Sequence, residues 1–373
     1  IYIKSTINMK KIINALGLMS GTSMDGIDAS IIRSDGEKNI DIIGDLYIKY
    51  DSELKNSLNK FYTKINTMDD LKKNLDEFKF LERQVTIKHS EISLEISNKF
   101  GVKPDIVGFH GQTIIHKPED KYSIQMGNGN LLSNLLQTNI VCEFRKEDIE
   151  KGGEGAPLTP IYHHNIKKKF NLDGSVIFLN IGGIANITIS RDNIFFAKDV
   201  GPGNCLMDMY IKKFKKIDFD DNGKIAASGK VDYTLVNNIL DHINYNSKKK
   251  HSLDIRDFDI NFVKGLSVEN ALANLNFFTA KIISENIKEE INENLPIILC
   301  GGGRKNSTLV SNLKKFLNNT FYNIDNFNIN GDFIESQAFA YLAVRSLYKK
   351  HISFPNTTKV TEAISGGKII KFI

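Results

Sequence analysis

Short, dense apolar runs alternate along this chain with longer stretches in which apolar residues recur every three or four positions. The runs "KKIINALGLM" (10–19), "GIDASIIRSDG" (26–36, closed by a turn at Asp35-Gly36), "IDIIGDLYIKY" (40–50), "DIVGFHG" (105–111), "YSIQMG" (122–127) and "NIVCEF" (139–144) have the content of strands. Between 52 and 100 the charged residues and the helical period predict helix, most clearly at "LERQVTIKHSEISLEISNKF". A short apolar helix is predicted at 131–137 and a Gly/Pro-rich loop at 152–160. A second set of strands follows at "VIFLNIGGIANITIS" (176–190), "NIFFAKD" (193–199) and "PIILCGGG" (296–303). Helices are predicted among them at 205–216, 231–244, 267–293 and 336–350. A strand–turn–strand with a Gly-rich tip occurs near 17–28 and again near 180–190. This echo predicts two similar α/β domains facing a cleft, a common place for a ligand.

Composition narrows the classes. A chain of 373 residues has room for two domains, and 41% hydrophobic with 25% charged residues fits a globular protein. The net charge of +5 is interspersed, with "KKK" at 248–250 read as a solvated loop. No recognisable basic module argues for nucleic acid, though anionic substrates are mildly favoured. Cys142, Cys205 and Cys300 are widely spaced and odd in number, which fits reduced thiols in the cytoplasm and no zinc site. No apolar run reaches the roughly 18 residues of a membrane span. The first eight residues, "IYIKSTIN", read as an upstream extension or expression remnant, with Met9 as the natural start.

Several stretches could carry chemistry. "GLMSGTSMDGID" (17–28) places hydroxyls, glycines and carboxylates at a hairpin tip. Such a tip suits a phosphate with a magnesium ion nearby, and it equally suits an ordinary polar turn. In "FFAKDVGPGNCLMD" (195–208), Asp199 ends an apolar strand before a Gly turn and a helix; it either faces an anionic ligand or caps the turn. Asp208 reads as a supporting hydrogen-bond partner. "LNIGGIAN" (179–186) and "CGGGRKN" (300–306) allow close backbone approach to a flat ligand. "GFHGQT" (108–113) sets His110 and Gln112 at a strand end, and "EFRKED" (143–148) offers Arg145 as a clamp for a carboxylate or phosphate, or as half of a surface ion pair. Glu335 enters a helix, where it would complement the dipole. The chain lacks a Ser/His/Asp order, paired thiols and a Walker-type phosphate loop.

In order, "GLMSGTSMDGID", "GFHGQT", "EFRKED", "GGEGAPLTP", "NIGGIANIT", "DVGPGNCLMD", "CGGGRKN" and "ESQAFAYLA" resemble the motifs of the anhydro-N-acetylmuramic acid kinases, from about residue 12 to about 366. The resemblance implies the actin-like, sugar-kinase/Hsp70 fold: two RNase-H-like domains with ATP between them. The domains expected are 9–138 plus about 344–373, and 139–343. It implies that water opens the 1,6-anhydro ring while O6 is phosphorylated, giving N-acetylmuramic acid 6-phosphate and ADP in peptidoglycan recycling. By position, Gly21, Thr22, Ser23, Met24, Asp25, Gly26, Ile27 and Asp28 become the ATP phosphate loop, with Asp25 helping to order Mg2+. Gly182, Gly201, Gly203, Asn204, Gly301, Gly302, Gly303 and Asn306 complete the nucleotide site. His110, Gln112, Arg145 and Glu335 face the amino sugar, and Asp199 is the catalytic base. "EFRKED" is less basic than the Arg-rich form common in the family, leaving Arg145 and Lys146 for sugar or lactyl contacts. The competing readings are a conventional sugar or acid kinase of the same fold and a non-catalytic nucleotide sensor. Asp25, Asp28 and Asp199 speak against the sensor. The expected partner is a small amino sugar, without nucleic acid or membrane; a homodimer is left open.

Overall fold

The computed structural model describes residues 11–21, 23–170, 172, 174–192, 194–242, 253 and 258–373. They gather into two compact units. One takes the chain up to Gly155, then Glu335–Phe354 and Thr361–Ile373; the other takes Ala156–Ile334 and Pro355–Val360.

In the first unit β1 (Ile13–Ser20), β2 (Gly26–Ser34) and β3 (Ile40–Lys49) form an antiparallel meander. Its second turn is closed by Asp35, whose carboxylate accepts from the backbone N–H groups of Glu37 and Asn39. The helices Ser52–Lys64, Met68–Lys73 and Leu75–Phe100 then carry the chain to β4 (Ile106–Lys117), which lies parallel to β1. A parallel pair needs such a crossover, because a tight turn can join only antiparallel strands. β5 (Tyr122–Met126) folds back on the far half of β4, β6 (Asn139–Cys142) runs parallel to its near half, and β12 (Lys368–Ile370) closes the edge. The order is β12-β6-β4-β1-β2-β3.

The second unit repeats the arrangement. β7 (Val176–Ile181), β8 (Ile184–Ser190) and β9 (Phe195–Pro202) form the meander. β10 (Ile297–Cys300) lies parallel to β7, and β11 (Phe321–Asn323) parallel to β10, giving β11-β10-β7-β8-β9. Each unit is therefore a three-stranded meander with parallel strands added beside its first strand, in keeping with the two RNase-H-like domains that the resemblance implies. All six residues of β7 are buried, which is why that run reads as continuously apolar instead of alternating.

The helix Ile334–Leu347 explains where the first unit ends. A Cβ on Gly17 would lie 1.9 Å from the Ser336 carbonyl oxygen, and one on Gly108 would lie 2.2 Å from that of Phe339. Only glycine lets helix backbone rest on β1 and β4 this closely. Gln337 Nε2 donates to Asp45 at 3.1 Å, and Ser336 Oγ meets Ser30 Oγ at 2.6 Å. The expected boundaries at 138/139 and 343/344 therefore move to 155/156 and 334/335. β6 belongs to the first sheet through β4, and one packed helix does not divide in its middle.

Two strands are longer than the apolar pattern predicts. β4 runs on to Lys117, so His110 and Gln112 lie inside it and not at its end. β9 runs to Pro202, so Asp199 lies three residues before its end. The loop expected at 248–250 lies outside the described residues.

Candidate active site

The tip between β1 and β2 is a tight turn in which Met24 N–H donates to the Gly21 carbonyl at 3.1 Å. Met24 takes a left-handed backbone, φ 51°, and its side chain is buried with Leu16, Leu18 and Ile27 in the first unit's core. The side chains of Met24 and Ile27 are thus anchors, and only main chain can meet a ligand there. Ser23 Oγ hydrogen-bonds the Asp25 carboxylate, which is half-buried. Gly26 has no room for a side chain, since a Cβ would lie 2.3 Å from the Ile48 carbonyl oxygen. At Gly21 the space is open: among the described residues a Cβ would meet nothing nearer than Ser23 Oγ at 3.9 Å. Asp28 sits on β2 opposite Met19 and Tyr47. Thr22 lies outside the described residues.

Gln112 is fully buried beneath this tip. Its Nε2 donates to the Gly21 carbonyl at 3.0 Å, and its Oε1 accepts from Ser20 Oγ at 2.7 Å. His110, two residues earlier, is also buried and packs against Phe339 with ring centroids 4.5 Å apart and the planes tilted by 43°. The Gly111 carbonyl, 2.8 Å from Nδ1, can only accept, so Nδ1 carries the proton. Nε2 therefore accepts from the Arg145 guanidinium, at 3.1 Å from Nε and 2.9 Å from Nη2. Burial, and then the charge of Arg145, hold the His110 pKa well below 6.5, so the ring is neutral at pH 7. Arg145 Nη1 also donates to the Gly155 carbonyl at 2.7 Å. Asp148 secures the other side of that Gly-rich loop by accepting from Gly155 N–H at 2.6 Å. A cavity of about 450 Å3 adjoins His110, with Glu82, Tyr122, Gln125 and Lys146 among its lining. Glu335 is half-buried in the first turn of its helix, as the sequence suggests.

In the second unit the three glycine-rich strand ends meet. The N–H groups of Gly203 and Asn204 donate to the carbonyls of Gly183 and Gly182 at 2.9 and 2.8 Å. A Cβ on Gly203 would lie 2.1 Å from the Gly182 oxygen, one on Gly301 2.6 Å from Asn180 Oδ1, and one on Gly303 2.3 Å from Ile181. Gly201 takes φ 141°, where a side chain would be strained. Gly302 is exposed with nothing within 4 Å of a Cβ. Asn306 is turned inward: it caps the helix Ser307–Phe316 by accepting from Leu309 N–H at 3.0 Å. Asp199, only 9% exposed, pairs in register with Asn186, and Leu253 N–H donates to its Oδ2 at 2.7 Å. The neighbouring Lys198 pairs with Glu290.

The sequence pattern does not single out Arg304 or Tyr50, and Ser20, which it sets among the hydroxyls of the tip, is buried with its hydroxyl on Gln112. Arg304 grips Asp325 with both Nε and Nη2, at 2.9 and 3.0 Å, reaches Asp332, and donates to the Gly301 carbonyl at 3.0 Å. It thereby locks the Gly301–Gly303 turn to the loop at 325–332. The basic residue directly after the glycines was the available signal, but its acidic partners lie 21 and 28 positions away.

The family model described as Anhydro-N-acetylmuramic acid kinase matches residues 13–371. An anhydro-N-acetylmuramic acid kinase of Pelagibacter ubique (strain HTCC1062) is 49% identical over 373 residues, covering 97% of this chain and 100% of the relative. One from Zymomonas mobilis subsp. mobilis is 37% identical over 362 residues, covering 95% and 99%. Among solved structures, the activator of the 2-hydroxyisocaproyl-CoA dehydratase from Clostridium difficile, with bound ADPNP, aligns over 89% of this chain and 94% of that one at TM-score 0.44 and 13% identity. No helix among the described residues is long and apolar enough to cross a membrane. With the family model spanning nearly the whole sequence and one relative identical at about half its positions, this chain belongs to the anhydro-N-acetylmuramic acid kinase family.

Proposed function

We propose that the chain performs the reaction its family is named for: ATP-dependent, hydrolytic phosphorylation of anhydro-N-acetylmuramic acid, giving N-acetylmuramic acid 6-phosphate and ADP. The acceptor has no free O6 hydroxyl, so the first requirement is a base for water. Asp199 takes a proton from water as the water oxygen bonds to C1. The C1–O6 bond breaks with its electron pair on O6, and O6 attacks the γ-phosphorus as ADP leaves. The observation that carries this reading is a buried carboxylate, oriented by the Leu253 N–H, beside the glycine-rich end of the second sheet. Proton removal from a positioned water needs one such carboxylate.

The β1–β2 tip supports the other half, since phosphoryl transfer asks of a protein mainly positioning and charge neutralisation. Main chain at Gly21 and the Ser23 hydroxyl would face the phosphates. The exposed, unobstructed Gly302 offers a place for the flat parts of the nucleotide. Among the described residues no three His, Cys, Asp or Glu side chains gather around a metal site. One carboxylate at Asp25 still fits magnesium, which commonly takes one or two protein carboxylates together with phosphate oxygens and waters. Bound there, the ion would supply neutralisation of phosphate charge. Arg145, fixed by His110 and Gly155, would meet an anionic group of the sugar, and Glu335 a sugar hydroxyl.

Asp199→Asn keeps shape and hydrogen bonding but removes the proton acceptor. Turnover of anhydro-N-acetylmuramic acid should fall roughly 10²–10⁴-fold, with ATP and sugar affinities changed far less. In 18O-water the label should enter at C1 of the product. Label in the phosphate, or turnover of N-acetylmuramic acid but not the anhydro sugar, would sink the reading.

A further inference from the structure

A hairpin tip that receives phosphates has to keep its own carbonyl oxygens out of the way, because their negative ends repel an anion. Here the two carbonyls that flank the turn are both taken up by the protein. Gly21 O accepts from Met24 N–H at 3.1 Å and from Gln112 Nε2 at 3.0 Å, which occupies both of its lone pairs. Asp25 O accepts from Tyr50 N–H at 2.9 Å.

The orientation of the Gln112 amide is set by the Gly21 carbonyl, which can only accept and therefore faces Nε2, and a Ser20–Tyr50 pair backs the amide oxygen. Ser20 Oγ lies 2.7 Å from Gln112 Oε1, 2.9 Å from Gly26 O and 3.0 Å from Tyr50 OH. Gln112 Oε1 and Gly26 O can only accept, so the single Ser20 proton points toward them and Tyr50 OH must donate to Ser20. Tyr50 stays protonated for that role, since burial and the nearby Asp25 charge raise its pKa. With its NH2 on the Gly21 carbonyl, the Gln112 amide turns its oxygen back to Ser20 Oγ, which donates to it while accepting from Tyr50. Ser20, Tyr50 and Gln112 are 1%, 2% and 0% exposed, so water does not substitute in the bonds that Ser20 makes to Tyr50 and Gln112.

We propose that Gln112 is a positioning residue for phosphoryl transfer, backed by the Tyr50–Ser20 pair, holding the Gly21 carbonyl away from the nucleotide phosphates while touching neither nucleotide nor sugar. The proposal rests on the reading of this tip as the phosphate loop, and it replaces the sugar contact expected of Gln112.

The test compares Gln112→Met, Gln112→Glu and Tyr50→Phe with the unaltered chain. KM for ATP, KM for anhydro-N-acetylmuramic acid, kcat, thermal midpoint and direct affinity for a non-hydrolysable ATP analogue are measured for each. Gln112→Met should raise the KM for ATP about tenfold and lower kcat, with the sugar KM held within about twofold. Gln112→Glu, which sets an acceptor against the Gly21 carbonyl, should be worse, and Tyr50→Phe should shift the same constants by less. If the Gln112 variants do not fold, the Tyr50→Phe split between ATP and sugar decides. A raised sugar KM with an unchanged ATP KM would make Gln112 a sugar contact. A lowered thermal midpoint with unchanged kinetics would make it ordinary scaffolding. Either result overturns the proposal. Gly21→Val separates the two levels. If it binds the analogue normally, the phosphate-loop reading falls and takes this proposal with it; if it loses affinity while the Gln112 variants do not, only the proposal falls.

Discussion

The two glycine-bearing hairpins hold the same place in their sheets, each joining the first and second strand, yet they are made rigid by different means. The β1–β2 tip is held largely by side chains: Gln112 and Ser20 beneath it, and Met24 sunk into the core. The β7–β8 tip is held by backbone, through the N–H groups of Gly203, Asn204 and Cys205 on the carbonyls of Gly182 and Gly183. The glycines differ accordingly. At Gly203 the protein's own packing forbids a side chain, with Gly182 O only 2.1 Å from where a Cβ would stand. At Gly21 none of the described residues forbids one. The open space at Gly21, where no positive φ calls for glycine, is consistent with the proposed approach of a phosphate.

Paired glycine substitutions should break this symmetry most visibly. Gly21→Val should abolish ATP binding while leaving the thermal midpoint almost unchanged. Gly203→Ala must displace backbone, at a cost of about 1–3 kcal/mol or more. In a unit of this size that lowers the midpoint by about 2–4 °C per kcal/mol. Calorimetry and nucleotide titration on both variants check this; a destabilised Gly21→Val with an unaffected Gly203→Ala would reverse the comparison.

Acid should separate the units next. Burial lowers the pKa of His89 to about 4; burial and then Arg145 lower His116 to about 3 and His110 well below 6.5. All three lie in the first unit. In the second, burial lowers His163 to about 3. The unfolded chain takes up these protons near pH 6.5 and the folded chain does not. The stability they contribute is thus complete above that pH and is lost as pH falls toward the folded values. The loss is about 1.4 kcal/mol per pH unit for each histidine. From pH 7 to 5, hydrogen exchange corrected for intrinsic rate should show β1 and β4 losing more protection than β7 and β8. Equal losses would mean that groups other than these histidines govern acid stability.

The smallest effect is expected at Asp25. Asp25→Asn should weaken ATP binding about tenfold in the presence of magnesium and much less in its absence. Titration calorimetry under both conditions checks it, and equal losses would assign Asp25 a structural role within the tip.

The hairpins were legible because turn chemistry is local: Ser, Gly and Asp in the first, Gly-Gly in the second, each between apolar runs. What escaped notice depends on distant partners. The apolar run stops near 111, which by itself sets His110 and Gln112 at a strand end. β4 continues because β5, folding back from Tyr122–Met126, supplies its hydrogen bonds. Tyr50 reads as the end of a strand, and nothing near it in sequence announces Ser20, 30 positions earlier.

The amino-acid sequence by itself determined the alternation of strands and helices, the two glycine-tipped hairpins and the membership of a family, because these depend on residue type and short spacing. Tertiary structure alone decided which glycines serve packing and which leave room, and that the Gln112 amide turns toward the Gly21 carbonyl. It also decided that the helix Ile334–Leu347 belongs to the first sheet. The physical reason is that close packing and buried hydrogen bonds are pairwise conditions. Each is met only when two residues far apart in the chain arrive at one point, and no local pattern records their meeting.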